Sequence, residues 1–228
     1  PTAKWKLVGD ADLGGLVDKQ QKFNQLMPAG KEYYINLMAQ SNAFFALYGD
    51  SAENFIGNML NYSDNYVKQF TKQLSLETLA FDSYGMIEEN GTRYLRPSFY
   101  DNFAIIANAA RDEGAIMQYT FCSAGHDSTD GIIPTPTADE LRWQMNLGLT
   151  FGATELAHYV YTSHEADYQG KTMVDINTNK TTYLYDNVKQ VNHEMKQWDE
   201  LILNYTWRGT EAYDVGTTST ALSQMDNT

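Results

Sequence analysis

Three times the chain runs from an amphipathic helix into a short apolar run that closes in a polar, aromatic cluster. The runs are Leu79-Ala80-Phe81, closing in Asp82-Ser83-Tyr84-Gly85; Ala115-Ile116-Met117, closing in Gln118-Tyr119-Thr120-Phe121-Cys122-Ser123; and Glu155-Leu156-Ala157-His158-Tyr159-Val160, closing in Tyr161-Thr162-Ser163-His164-Glu165. Short apolar strands alternating with longer helices are the pattern of βα units and a parallel sheet. In such folds functional side chains collect at the carboxyl ends of the strands. The three clusters are therefore where a site is expected.

The rest of the chain fits the same alternation. Periodicity predicts a strand over 5–8 and a helix over 13–26, with Leu16, Phe23 and Leu26 as its apolar stripe. A strand over 33–38 and a long helix over 52–70 follow, the latter carrying Phe55, Met59, Tyr62, Tyr66 and Phe70 at helical spacing. Asn90-Gly91 marks a turn, because both residues accept positive φ cheaply. A helix over 98–112 has the stripe Phe99, Phe103, Ile106 and Ala110, with Gly114 at its end. A loop over 123–136 is rich in Gly, Asp and Ser and long enough to be functional. Thr137 and Glu140 have capping-box spacing ahead of a helix with Leu141, Met145 and Leu149. Leu184, Val188, Val191, Met195, Trp198 and Ile202 read as one continuous helical face. The Thr/Ser-rich stretch 216–228 reads as a flexible tail.

About five strands result, enough for an open parallel sheet or for part of a closed (β/α)8 barrel. Gly14-Gly15 is too sparse for a phosphate-binding loop, which disfavours a nucleotide fold. With 16 basic against 29 acidic residues and a formal charge of −13, the chain would repel a nucleic-acid backbone or an anionic membrane. The single cysteine, Cys122, excludes an intrachain disulfide and a cysteine-rich zinc site. No His, Asp or Glu spacing suggests a metal, and no cofactor is expected. No 18-residue apolar stretch and no signal peptide are visible, and the start reads as the boundary of a longer or processed chain.

One succession is more specific than periodicity. It comprises Trp5-Lys6-Leu7-Val8-Gly9-Asp10, Tyr33-Tyr34-Ile35-Asn36-Leu37, Leu79-Ala80-Phe81-Asp82-Ser83-Tyr84 and the strand at Gln118-Tyr119. Glu140-Leu141-Arg142-Trp143-Gln144, Phe151-Gly152-Ala153-Thr154-Glu155-Leu156-Ala157-His158-Tyr159 and Tyr185-Asp186-Asn187-Val188-Lys189-Gln190-Val191-Asn192-His193-Glu194 complete it. This order resembles the second half of a glycoside-hydrolase TIM barrel, similar to the β-galactosidase-like members of the large retaining clan. The resemblance covers residues 5 to 213 and implies barrel strands four to eight, within a partial barrel domain over 1–215. It also implies a secreted bacterial protein acting on carbohydrate. Half a barrel leaves two strand edges and an inner face uncovered. Either an amino-terminal half on another segment or chain, or a second copy of this chain, is then expected to close it.

A retaining glycosidase needs two carboxyl groups about 5 Å apart, one as acid/base and one as nucleophile. The resemblance places them after strands four and seven. At the first position stand Asp10 and Asp12, either of which could act as acid/base or simply cap the following helix. The segment 118–123, in the place of strand seven, holds no carboxylate, although Asp127 follows beside His126 in the next loop. Asp82 closes an apolar run and is expected to point into the barrel mouth. Glu165, next to His164, closes the last one and could bind hydroxyls or serve as acid/base. His158 sits mid-strand and reads as a packed, hydrogen-bonded residue. Tyr84, Tyr119, Phe121, Tyr161 and Trp207 are candidates to stack on sugar rings, with core packing as the alternative for each. Cys122 has no basic neighbour in sequence to activate a thiolate, and Ser123 lacks a nucleophile elbow.

The resemblance leads to hydrolysis of a glycosidic bond as the first expectation, with Asp82 and Glu165 shaping the catalytic site and Asp10 or Asp12 as acid/base; the alternatives are glycan binding by a barrel that has lost its catalytic pair, or a fragment that only completes another chain's barrel. The sequence also holds four Asn-x-Ser/Thr sequons, at Asn61, Asn90, Asn179 and Asn204.

Overall fold

The computed structural model describes residues 13–40, 62–96, 98–128, 131–164, 168 and 171–210. The strand expected over 5–8, residues 52–61 of the expected long helix, and the tail over 216–228 lie outside these residues.

The chain is a mixed α/β structure built on a four-stranded parallel sheet. Its strands are β1 (Asn36–Leu37), β2 (Thr78–Asp82), β5 (Ile116–Cys122) and β8 (Glu155–Tyr159), and they lie side by side in chain order. The connections carry helices. After α1 (Leu13–Leu26), a π-helical turn (Tyr62–Val67) runs into α2 (Lys68–Gln73) between β1 and β2. Helix α3 (Phe99–Glu113) joins β2 to β5, and α4 (Ala138–Thr150) joins β5 to β8. Helices α5 (Tyr183–Met195) and α6 (Asp199–Leu203) follow.

Side chains alternate across a strand, so each strand has two different faces. Leu37, Leu79, Phe81, Met117, Tyr119 and Phe121 point toward the helices and are all buried. Phe103 of α3 is the centre of this layer. Its ring lies 5.2 Å from Phe81, 4.6 Å from Tyr119, 5.2 Å from Phe99 and 5.3 Å from Phe151, so it touches two strands and the end of α4. Helix α4 approaches closely because residue 148 is glycine: a Cβ there would stand 2.9 Å from Tyr119 and 3.0 Å from Leu156. The other face carries Asn36, Ala80, Asp82, Gln118, Thr120, Glu155, Ala157 and Tyr159 and stays partly open. There Tyr34 donates to Gln118, and Gln118 donates to Glu155 Oε2 at 2.9 Å, a polar chain running across the sheet.

Several expectations hold. Helix α1 has the predicted bounds, α3 ends at Gly114 in the left-handed conformation (φ 66°), and Thr137 and Glu140 form the capping box. Asn90 and Gly91, with φ of 51° and 76°, turn β3 (Met86–Glu89) into β4 (Thr92–Leu95). Others are corrected. Of the expected α1 stripe, Phe23 packs on Tyr33 at 5.7 Å but Leu26 is 77% exposed, and Gln20 adds a second hold, its amide donating to Ser75 O at 2.7 Å and its oxygen accepting from Ser75 N. The strand expected over 33–38 shrinks to two residues. Its carboxyl end is held by phenols, with Tyr62 donating to Met38 O at 2.8 Å and Met38 N donating to Tyr66. The loop over 123–136 contains a hairpin, β6 (His126–Ser128) and β7 (Gly131–Ile133). The helical face expected over 184–202 breaks after Met195, because its buried part ends at Val191 and Trp198 is 54% exposed. Apolar spacing alone cannot hold a helix with nothing to pack on.

Ion pairs fasten the outer elements. Arg93 of β4 places both oxygens of Glu140 within 2.8 Å of one guanidinium nitrogen, so the residue that caps α4 also holds the hairpin. Arg142 of α4 grips Glu194 of α5 through two bonds, at 2.6 and 3.0 Å.

Two outcomes are expected. Phe103→Ala should destabilise the fold by about 3–5 kcal/mol in denaturant titrations, because the cavity opens between four other rings. Arg142, then Gln190, hold the Glu194 carboxyl down at about 2, well below its ordinary range. A depressed carboxyl stabilises above its unfolded value, about 4.3, and the contribution fades as pH falls toward the folded value. Glu194→Gln should therefore lower Tm modestly at neutral pH, with the two melting curves converging as the pH is taken from about 4 toward 2.

Candidate functional site

The carboxyl ends of β2, β5 and β8 meet beneath a second sheet. The hairpin β3–β4 follows β2, and β6–β7 follows β5. They join through β3 and β7 into an antiparallel sheet of order β4–β3–β7–β6. Ile87 and Ile133 of this sheet bury themselves with Cys122, and Tyr84 packs against them.

Around that junction, among the described residues, lies a cluster of one carboxylate and four rings. Asp82 ends β2 on the open face, half-buried. Asn36, at the same level on β1, donates its amide to Asp82 Oδ1 at 2.5 Å. The Tyr84 hydroxyl lies close enough to the Asp82 carboxylate to favour its charged form. Tyr84 stacks on Tyr159 at a centroid distance of 5.6 Å and meets His126 edge-on at 5.7 Å. His126 in turn stacks on Tyr168 at 4.8 Å, and the hydroxyls of Tyr159 and Tyr168 lie 3.2 Å apart. The peptide bond between Tyr159 and Val160 is cis.

The electrostatics follow from burial. Burial pushes the Asp82 carboxyl above its ordinary range, while the hydrogen bond from Asn36, its own backbone and the nearby Tyr84 hydroxyl hold it back. Burial, then the Asp82 charge, pushes the Tyr84 phenol up, so it stays a protonated donor. Cys122 is pushed up to about 12 by burial and donates its thiol to Ala124 O at 2.8 Å; it is no thiolate nucleophile.

The expected site residues fall into three groups. Asp82, Tyr84 and His126 come together here. Asp127, Tyr161 and His164 are exposed on the segments that follow β5 and β8, and Tyr161 O accepts from Val174 N of the short hairpin β9 (Val174–Asp175) and β10 (Lys180–Thr181). Tyr119 and Phe121 lie elsewhere: both are fully buried on the helix face, Tyr119 donating to Ser83 O at 2.9 Å. Trp207 stands at the other end of the sheet, bonded to Thr150 O at 3.0 Å with its ring over Gly152. Asp10, Asp12 and Glu165 lie outside the described residues. His158 is on the helix face, bonded to Asn192 Oδ1 at 3.0 Å with its ring 4.4 Å from Phe121. Asn36, Tyr159 and Tyr168 were missed by sequence reasoning. Two-residue alternation could have found Tyr159, which shares its face with Glu155 and Ala157. No local signal marks Tyr168.

Two clefts lie at the amino-terminal end of the sheet, away from this cluster. The more apolar, about 270 Å³, is lined by Leu149, Leu201, Ile202, Tyr205 and Trp207. Among the described residues no group of three or more His, Cys, Asp or Glu could hold a metal, and no helix is long and apolar enough to cross a membrane. No family model matches the chain, and no curated protein matches it.

Together these groups offer a carboxylate acceptor, a phenol donor and an aromatic surface at one edge. This combination can hold a polyhydroxylated ring by its hydroxyls and by its apolar face. The raised Asp82 carboxyl also sets a pH dependence. Its charged form is disfavoured on folding, so its penalty is absent below the unfolded value and complete above the folded one. Asp82→Asn keeps an acceptor for Asn36 and should resist denaturant better than the parent at pH 7–8, with the advantage vanishing below about pH 4.

Proposed function

We propose that the chain is part of a glycoside-hydrolase-like (β/α)8 barrel and binds carbohydrate at the carboxyl ends of its strands. The observation that carries this reading is the Asp82–Tyr84–Tyr159 group at the junction of β2, β5 and β8. Among the described residues the parallel sheet runs in plain chain order, without the reversal of a doubly wound sheet, which supports a barrel. So does its chemistry: one face is packed against helices while the other is lined with polar groups and small residues, as a barrel interior would be. The expected ligand is a neutral, extracellular glycan, because a chain of charge −13 with Asp82 at the site repels anionic ones. Nucleic acid and anionic membranes are disfavoured as partners on the same ground.

Binding is the first reading, because among the described residues the cluster contains one carboxylate and retaining hydrolysis needs a facing pair. A second reading, hydrolysis, is favoured by the raised Asp82 carboxyl, a property of a general acid. Its partner would be Asp10, Asp12 or Glu165.

Calorimetric titration with neutral oligosaccharides, beside a reducing-sugar assay, separates the two. Under the binding reading, saturable binding is accompanied by no sugar release, and Tyr84→Ala weakens affinity about tenfold, or ~1.4 kcal/mol. Sugar release abolished in Asp82→Asn would establish the second reading instead. No binding to any neutral glycan by folded protein would sink both.

A further inference from the structure

The hairpin tips contain a chemistry that glycan recognition does not use. Asn90-Gly91-Thr92 and Asn179-Lys180-Thr181 are both sequons, and in both the asparagine is the exposed, left-handed residue of a turn (φ 51° and 52°). Neither side-chain amide has a hydrogen-bond partner among the described residues. In both, the threonine hydroxyl two positions on is exposed at a strand position, Thr92 in β4 and Thr181 in β10. Asn204 differs: its amide nitrogen is already donated to Glu200 O at 2.6 Å, closing the end of α6. Asn61 lies outside the described residues, and the next residue of its sequon, Tyr62, is 2% exposed.

We propose that Asn90 and Asn179 are acceptor sites for N-linked glycan, the donor being an oligosaccharide on a lipid pyrophosphate. In the transfer, the asparagine Nδ2 attacks the anomeric carbon and a C–N bond forms. The bond from that carbon to the pyrophosphate oxygen breaks, the lipid pyrophosphate leaves with the electron pair, and the amide gives up one proton. A transferase must engage the amide and the +2 hydroxyl together, and a protruding tip exposes both without unfolding a core. Glu88, two positions before Asn90, is half-buried and bonded to Arg93 Nε at 3.1 Å, so it anchors the base of this tip. Both tips belong to segments that follow the carboxyl ends of β2 and β8, so the attached chains would stand around the candidate site.

The test uses folded protein, a purified oligosaccharyltransferase and a lipid-pyrophosphate-linked oligosaccharide, with occupancy read by peptide mass spectrometry. A short peptide spanning 86–95 serves as the control for transferase activity. The expected result is that Asn90 and Asn179 take most of the glycan and Asn204 takes little. Thr92→Ala and Thr181→Ala should each abolish transfer at its own tip and leave the melting curve in place. The proposal is overturned if Asn204 is occupied as fully as the tips, or if the peptide is modified while both tips of the folded protein stay bare.

Discussion

The structure depends on one aromatic contact set, the ring of Phe103 seated among Phe81, Tyr119, Phe99 and Phe151. Two of those rings come from adjacent parallel strands, and Phe151 ends the helix that leads to a third. Parallel strands are far apart in sequence, and their alignment needs a body that touches several at once. The same packing reaches the candidate site in one step, because Tyr119 within it donates to Ser83 O, in the short turn that carries Tyr84. The identity of a core ring thus bears on where a surface phenol stands.

Legibility in the sequence followed the strength of local signals. Helix α3, helix α4 with its Thr137–Glu140 box, and the Asn90-Gly91 turn are set by contacts within a few residues, and they stand where the pattern placed them. The hairpin β6–β7 was hidden because three-residue strands are too short to show a period, and its pairing with β3 is a contact between distant segments. The break after Met195 was hidden for the opposite reason: the apolar spacing continues through Trp198 and Ile202, but the core it should pack against does not. At the site, Asp82 and Tyr84 were legible because they end a buried run. Tyr119 and Phe121 were misplaced because strand parity, more than closeness to a strand end, decides which face a ring joins. Asn36 and Tyr168 owe their places to packing between distant segments, which no local pattern encodes.

The site balances burial against partners. Asp82 accepts from Asn36 with the Tyr84 hydroxyl close by, yet burial still raises its carboxyl above the ordinary range, and its neighbours are rings rather than cations. A carboxyl kept this way is a sensitive acceptor, since any hydroxyl replacing water beside it gains strength in the drier setting. That trait suits recognition of hydroxyl-rich ligands, and acid chemistry equally.

The pairing of β3 with β7 has a mechanical meaning. Two connections, one leaving β2 and the other leaving β5, are fused into a single woven plate, and Arg93 bolts that plate to the first turn of α4 through Glu140. The pairing of Glu88 with Ile132 couples two connections that would otherwise move independently. If a ligand binds there as proposed, it would meet a wall already assembled, so little ordering entropy would be lost on contact and selectivity would come from fit rather than from closure.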